Sequence, residues 1–358
     1  MENIDKVIQD AIQKAIVERG HINILIAGRS GVGKSTLINS VFQGNFAETG
    51  QGKPVTKGTL QFSKQGIPLT IYDTRGLEMA EYQQTIDDLR RLVEDKCSDR
   101  DGNNHIHAAW VCIQEDGRRV EDAEIKLHEM LAQHLPVLGV VTKARADNGF
   151  RSKVSELLPK AKNVVRVRAI QEELDEGQVL NPMGLKNLIE ATSEVIPEGK
   201  RRALAAAQKA DVAYKVTQAQ KVIAGSATLA AAAGASPIPF SDAVVLAPIQ
   251  IGMLAGITSV FGLELSKATL TTLVSSALGV TGATIAGRTI AVNLLKLIPG
   301  AGTVVGGAIS AATASALTVA LGGAYIAVLS NFFIDNPDAT PSVEQIAKKL
   351  KEQMRNQN

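Results

Sequence analysis

The run Gly28-Arg29-Ser30-Gly31-Val32-Gly33-Lys34-Ser35 fits the spacing GxxxxGK[ST]. Residue types in that order suit phosphate. Glycines let main-chain N–H groups turn inward and approach phosphate oxygens without a clashing Cβ. A helix starting at the end of the run adds its partial positive charge. Lys34 brings a full charge to the outer phosphates of a nucleotide, and the Ser35 hydroxyl is a hard ligand suited to Mg²⁺. Ser30, Gly31, Val32, Gly33 and Thr36 complete the expected cradle around Gly28 and Lys34. The motif requires a strand before it and a helix after it. The apolar run Asn23–Ala27 and the segment Ser35–Val41 answer to both.

A second element, Asp73-Thr74-Arg75-Gly76, stands 39 residues after Lys34 and closes the apolar run Leu69–Tyr72. An Asp at that strand end can hold Mg²⁺ through a water, and the Gly76 N–H can meet a γ-phosphate. Thr56, between the two motifs, is the candidate switch threonine for Mg²⁺ and γ-phosphate. The expected metal set is therefore Ser35, Thr56 and Asp73. After Gly76 comes Leu77, which cannot orient water by hydrogen bonds. Arg75, Glu78 and Glu48 are the local substitutes, and slow turnover is expected, with Lys34, Thr56, Arg75 and Gly76 as the catalytic group.

For the base, Thr142-Lys143 resembles the guanine motif [NT]KxD, with Lys143 along the purine face. The pattern wants an acid at 145 to accept two guanine N–H donors. Here stands Arg145, which has no acceptor at all. Either Asp147 takes the role or guanine selectivity is weakened. The Ala169 backbone N–H is the candidate cap for the base oxygen. His105 and His107 form an HxH pair that lacks a convincing third metal ligand.

The elements that must position these residues lie in a chain of two characters. Residues 20–197 alternate apolar strand-like runs (His21–Ala27, Leu69–Tyr72, Ala108–Ile113, Val137–Val141, Val164–Val167) with helix-like periods, which implies an α/β domain with a mostly parallel sheet. Residues 1–19 read as an amphipathic helix with Ile4, Ile8, Ile12 and Ile16 on one stripe. That stripe suits packing on the rest of the chain, a membrane surface or self-association. Residues 198–358 read as an all-α, Ala/Gly-rich domain. Net charge changes from −4 over residues 1–199 to +6 over residues 200–358, with uncharged stretches of 20, 21, 20 and 38 residues. Each is long enough to cross a bilayer at about 20 residues. The motifs Gly252–Gly256 and Gly302–Gly306 are both GxxxG, and a basic helix Lys200–Lys221 suits an anionic cytoplasmic leaflet. Ala, Gly, Ser and Thr would equally suit a closely packed soluble bundle. The near-neutral total charge of +2 and 4% aromatics point away from nucleic acid. The two cysteines, Cys97 and Cys112, are read as reduced thiols.

The order of phosphate loop, Thr56, Asp73–Gly76 and Thr142-Lys143 resembles the translation-factor-related P-loop GTPases of the Era, TrmE and septin type. Ser236–Asp242 and Pro248–Met253 resemble the bacterial domain of unknown function 697. The resemblance implies a GTP/GDP- and Mg²⁺-binding switch acting on a helical domain. It further implies a place on the cytoplasmic side of a membrane or in the soluble cytoplasm, with membrane lipid, self-association or a protein effector as partners. A GTP-binding scaffold with little hydrolysis and a relaxed-specificity NTPase are the alternatives, pointed to by Leu77 and Arg145.

Overall fold

The computed structural model describes residues 4–46, 53–56, 58–74, 82–234, 242–278 and 311–356. Arg75, Gly76, Leu77, Glu78, Glu48 and the Gly302–Gly306 motif lie outside the described residues. The chain divides into two compact units, one of Gly20–Asp211 and one of Met1–Arg19 with Val212–Asn358.

The first unit is built on a seven-stranded sheet. The strands are β1 (Ile22–Ala27), β2 (Lys53–Thr56), β3 (Thr59–Ser63), β4 (Leu69–Thr74), β5 (Ala108–Gln114), β6 (Val137–Thr142) and β7 (Asn163–Arg166), in the order β2-β3-β4-β1-β5-β6-β7. β4, β1, β5, β6 and β7 run parallel, and β2 and β3 add an antiparallel edge. Helices α2 (Lys34–Val41), α3 (Tyr82–Cys97), α4 (Asp122–Leu131), α5 (Phe150–Leu157) and α6 (Leu185–Val195) alternate with the strands. The five parallel strands are the five apolar runs of the sequence, because a strand covered on both faces reads as a continuous hydrophobic stretch. β1 is buried along its whole length, between β4 and β5. That is where neighbouring strands are reached in opposite directions, so a crevice opens at the carboxyl ends.

β1 is also held from its amino-terminal side. The Asn23 N–H donates to His107 Nδ1 at 3.0 Å, and His107 Nε2 donates to the Gly102 carbonyl at 3.0 Å. This needs a neutral ring. Burial, with Lys200 nearby, lowers the His107 pKa from 6.5 to about 4. The unfolded chain therefore binds a proton at pH values where the folded chain does not, and stability falls as pH drops through this window. Between pH 6.5 and 4 this residue is expected to remove about 2–3 kcal/mol. Denaturant titrations of the wild type and His107→Gln across that range check it: the variant should show a shallower pH slope.

The structure divides the chain at 19/20, as expected, but moves the second division from 197/198 to 211/212. Arg201–Ala207 forms helix α7 and buries Ala203 through Ala207 in the sheet unit. The Gln43 N–H donates to the Ala207 carbonyl at 2.9 Å, and the Lys209 N–H to the Val41 carbonyl at 2.8 Å. The boundary thus falls after Asp211. The basic helix expected over Lys200–Lys221 is interrupted there, because the Gln208 side chain bonds both the carbonyl and the N–H of Asp211, each at 2.7 Å. Lys215, expected to face lipid headgroups, is 1% exposed and donates to the Phe261 carbonyl at 3.3 Å.

In the second unit, α1 (Ile4–Arg19) lies with α8 (Val212–Gly234), α9 (Asp242–Phe261), α10 (Lys267–Leu278) and two further helices, Ala311–Asp335 and Val343–Asn356. α1 packs on α9, burying Ile8, Ala11, Ile12 and Ala15, and Asp5 pairs with Lys267 at 3.0 Å. The middle of the first helix's apolar stripe is thus covered by its own chain, while Ile16 stays exposed. Of the GxxxG pair in α9, only Gly256 sits at a close approach: a Cβ there would lie 2.8 Å from Val222 Cγ1, whereas Gly252 faces open space. Gly322 is tighter, with Ile223 Cγ1 2.6 Å from an added Cβ. We expect Gly322→Val to cost about 1–3 kcal/mol through overpacking. Gly252→Ala should be neutral or stabilising by about 0.5–1 kcal/mol. Thermal unfolding of the two full-length variants checks the contrast. Among the described residues one helix, Ala311–Asp335, is long and apolar enough to cross a membrane, and 56% of its most apolar window is buried by the protein itself.

Candidate nucleotide site

The phosphate loop leaves the carboxyl end of β1 and enters α2. Three of its glycines adopt positive φ: Gly28 at 148°, Gly31 at 75° and Gly33 at 98°. Gly28 has a second reason to lack a side chain, since a Cβ would lie 2.4 Å from the Cys112 carbonyl oxygen on β5. The loop is thus pressed against the sheet. Ser35 and Thr36 are exposed on the first turn of α2, while Leu37, Ile38 and Val41 anchor that helix in the core. Lys34 is buried and folds over the loop, its Nζ donating to the Gly28 carbonyl at 2.7 Å and the Arg29 carbonyl at 3.0 Å. Asp73, the penultimate residue of β4, lies directly beside Ile26 of β1 and is 5% exposed. Cys112 lies under both charges. Burial raises its thiol to about 12, so it stays protonated and unreactive.

The end of β6 is tied to the loop. Thr142 Oγ1 donates to the Val32 carbonyl at 2.6 Å. Lys143 follows with φ 53°, a left-handed backbone that costs a non-glycine residue and aims its side chain across the loop. Its Nζ donates to Gln114 Oε1 at 3.4 Å. Beyond it opens a cavity of about 370 Å³, lined on one side by Gly33 and Thr36, on the other by Lys143, Arg145 and the segment Val167–Glu172. That volume suits a small ligand such as a purine nucleoside.

Two stretches of this chain match known families. Residues 23–143 match the family model described as a 50S ribosome-binding GTPase, and residues 200–356 match the domain of unknown function 697. This chain resembles P-loop GTPases in its first part and the DUF697 family in its second. The curated probable GTP-binding protein EngB of Oenococcus oeni is 25% identical over 185 residues, which is 51% of this chain and 91% of that protein. The structure of translation elongation factor SelB from Methanococcus maripaludis, in complex with the GTP analogue GppNHp, is 17% identical with a TM-score of 0.31. That alignment takes in 50% of this chain, which spans 35% of the SelB chain.

Within the GTPase domain the structure gathers Gly28 through Thr36, Asp73, Thr142, Lys143 and Ala169 around one crevice at the strand ends. Thr56 is placed elsewhere: it pairs with Thr59 in the β2–β3 hairpin, and Thr59 in turn pairs with Thr74. Two strand spacings, about 10 Å, separate it from the end of β4. Asp147 is not among the cavity-lining residues. Its Oδ1 accepts the Arg151 N–H at 2.9 Å and meets Arg166 Nε at 3.4 Å, so it serves the start of α5 instead. Arg75 and Gly76 lie outside the described residues.

Motif spacing does not point to the groups that shape this cavity. Glu115, 1% exposed, accepts the Arg145 backbone N–H and Arg166 Nε, the latter at 2.7 Å. The buried Arg168 donates to the Ala144 carbonyl at 2.8 Å and the Asn181 carbonyl at 2.6 Å, holding the Val167–Glu172 side of the cavity to the end of β6. Arg145 pairs with Glu172, which it holds below the usual carboxylate range. A carboxylate after β5 and another shortly after β7 were the only signals in the chain for such partners, and neither has a diagnostic spacing.

Proposed function

We propose that this protein is a Mg²⁺-dependent guanine-nucleotide switch with slow GTP hydrolysis, whose nucleotide state acts on the helical unit. The observation that carries the reading is the built phosphate loop: inward-turned glycines and a buried Lys34 beside a cavity sized for a purine nucleoside. The naming of the similar EngB as a probable GTP-binding protein supports the guanine assignment.

Each residue has a stated part. The loop N–H groups and the amino end of α2 hold the phosphates, and Lys34 leaves its two carbonyls to pair with the outer ones. Lys143 lies along the purine face and the Ala169 N–H caps the base oxygen. The exposed Ser35 hydroxyl and the buried Asp73 carboxylate are hard oxygen donors at one strand–helix junction, which fits Mg²⁺. When bound, the ion would neutralise phosphate charge. Thr56 and Gly76 close on a γ-phosphate and order the switch segments, and hydrolysis releases them. Thr56 must then leave the hairpin position it holds here. Leu77 leaves the attacking water without a side-chain acceptor, so turnover is slow. An arginine, Arg75 or one from a second protomer, raises it.

The helical unit responds at a membrane surface on the cytoplasmic side, through self-association or through a protein effector. Its apolar helix Ala311–Asp335 supports the membrane arm. Arg145 in the base cavity favours a second reading, a relaxed-specificity NTPase. Titration with GTP, GDP and ATP in the presence of Mg²⁺, followed by single-turnover assays over protein concentration with and without liposomes, tests the whole. GTP and GDP should bind more tightly than ATP, and the rate should be low and rise with concentration or lipid. Tighter ATP binding overturns the guanine assignment. A fast rate independent of concentration overturns the slow switch.

A further inference from the structure

The base cavity lacks the acid that its motif calls for, yet two carboxylates line it, Asp116 and Glu172. They are held differently. Glu172 sits on a two-residue strand, Glu172–Glu173, paired with Val179–Leu180. Arg145 grips it with two donors, Nε to Oε2 at 3.0 Å and Nη2 to Oε1. Asp116 is only approached, 4.0 Å from Arg145 Nη1. The arginine therefore lies between a filled acceptor fork and an open one.

The edge of guanine that a carboxylate reads carries N1–H and an exocyclic N–H, side by side on one planar C–N framework. A guanidinium edge presents the same two parallel donors. A carboxylate seated for one is seated for the other. We propose that Glu172 is the guanine-reading carboxylate of this site and that Arg145 is its placeholder. The base edge exchanges with Arg145 on Glu172, and the released guanidinium passes to Asp116. This rests on the guanine-nucleotide reading above.

The surroundings allow the exchange. The backbone at 145 is fixed through the buried Glu115, while the Arg145 side chain is 47% exposed and so has room to swing. The Glu172 side chain is 29% exposed, and an exposed pair of this kind adds little stability, so parting it costs little. Arg168, in the segment that carries Glu172, donates to the carbonyl of Ala144, the residue after Lys143, and so ties that segment to the purine-facing lysine. Glu172 also lies in the field of Lys143 itself.

The two members of the pair must then act in opposite directions, which a merely structural ion pair would not show. Calorimetric titrations of the full chain with GDP and with IDP, which lacks the exocyclic amine, test this together with ADP as the base control. Glu172→Gln should lower GDP affinity by about tenfold or more and bring the GDP/IDP ratio toward one. Arg145→Ala should hold or raise GDP affinity. In the double variant Glu172→Gln, Arg145→Asp, the acid returns at the motif position and the ratio should recover, which also shows that loss in the single variant is not misfolding. An unchanged GDP/IDP ratio in Glu172→Gln, or an equal loss in Arg145→Ala, overturns the assignment while leaving guanine binding standing. Wild-type protein that prefers ADP to GDP overturns both.

Discussion

Lys34→Ala lowers the affinity for Mg²⁺–nucleotide by about a hundredfold or more, because it removes charge-assisted hydrogen bonds to the outer phosphates. The protein itself stays folded. Among the described residues the Lys34 ammonium donates to two loop carbonyls, those of Gly28 and Arg29, at 2.7 and 3.0 Å. Both belong to the loop, and water can replace the ammonium at Arg29, which is exposed. The apolar anchors of α2, Leu37, Ile38 and Val41, are untouched. The melting temperature without nucleotide should therefore move little, while the stabilisation that GDP gives the wild type should vanish. Calorimetry and thermal melts with and without GDP measure both. Wild-type affinity in the variant would remove the physical basis of the phosphate site.

Gly28→Ala attacks the same loop by sterics. The added methyl would stand 2.4 Å from the Cys112 carbonyl oxygen, a backbone atom fixed in the middle of the sheet. The φ of 148° adds backbone strain for any L side chain. Neither can be relieved by a rotamer, so β1 and β5 must part or the loop must move. Together the clash and the strain are expected to cost about 3–6 kcal/mol. The loop that survives should no longer grip phosphate. Gly31→Ala is the control: its Cβ would meet nothing within 4 Å, so only the strain of its φ of 75° remains. Denaturant unfolding should rank the two, with Gly28→Ala clearly the less stable. Equal stabilities would contradict the tight approach of loop and sheet.

Some of this protein is written locally. The phosphate loop could be read because eight consecutive residues carry the whole device. The five parallel strands could be read because burial on both faces leaves an unbroken apolar run. Asp73 was legible from its place at the end of such a run. The β2–β3 edge was not, because Lys53–Thr56 and Thr59–Ser63 are short and carry no continuous apolar run, and they become strands through pairing of β3 with β4 and of β2 with β3. Thr56 is a member of that hairpin, so its distance from Asp73 could not be read from spacing.

Local residue patterns account for the phosphate loop, the parallel strands and the Ala/Gly-rich helical part. Tertiary structure alone decided that the first helix belongs with α9 across more than 200 residues, that α7 closes the sheet unit, and that Asp147 serves α5. It also decided that Arg145 meets Glu172, 27 residues away. The physical reason is the range of the interactions. Helical and strand periods and a glycine-rich turn are fixed by neighbours a few residues apart. A salt bridge or a covered apolar face is fixed by whatever the folded chain brings alongside it.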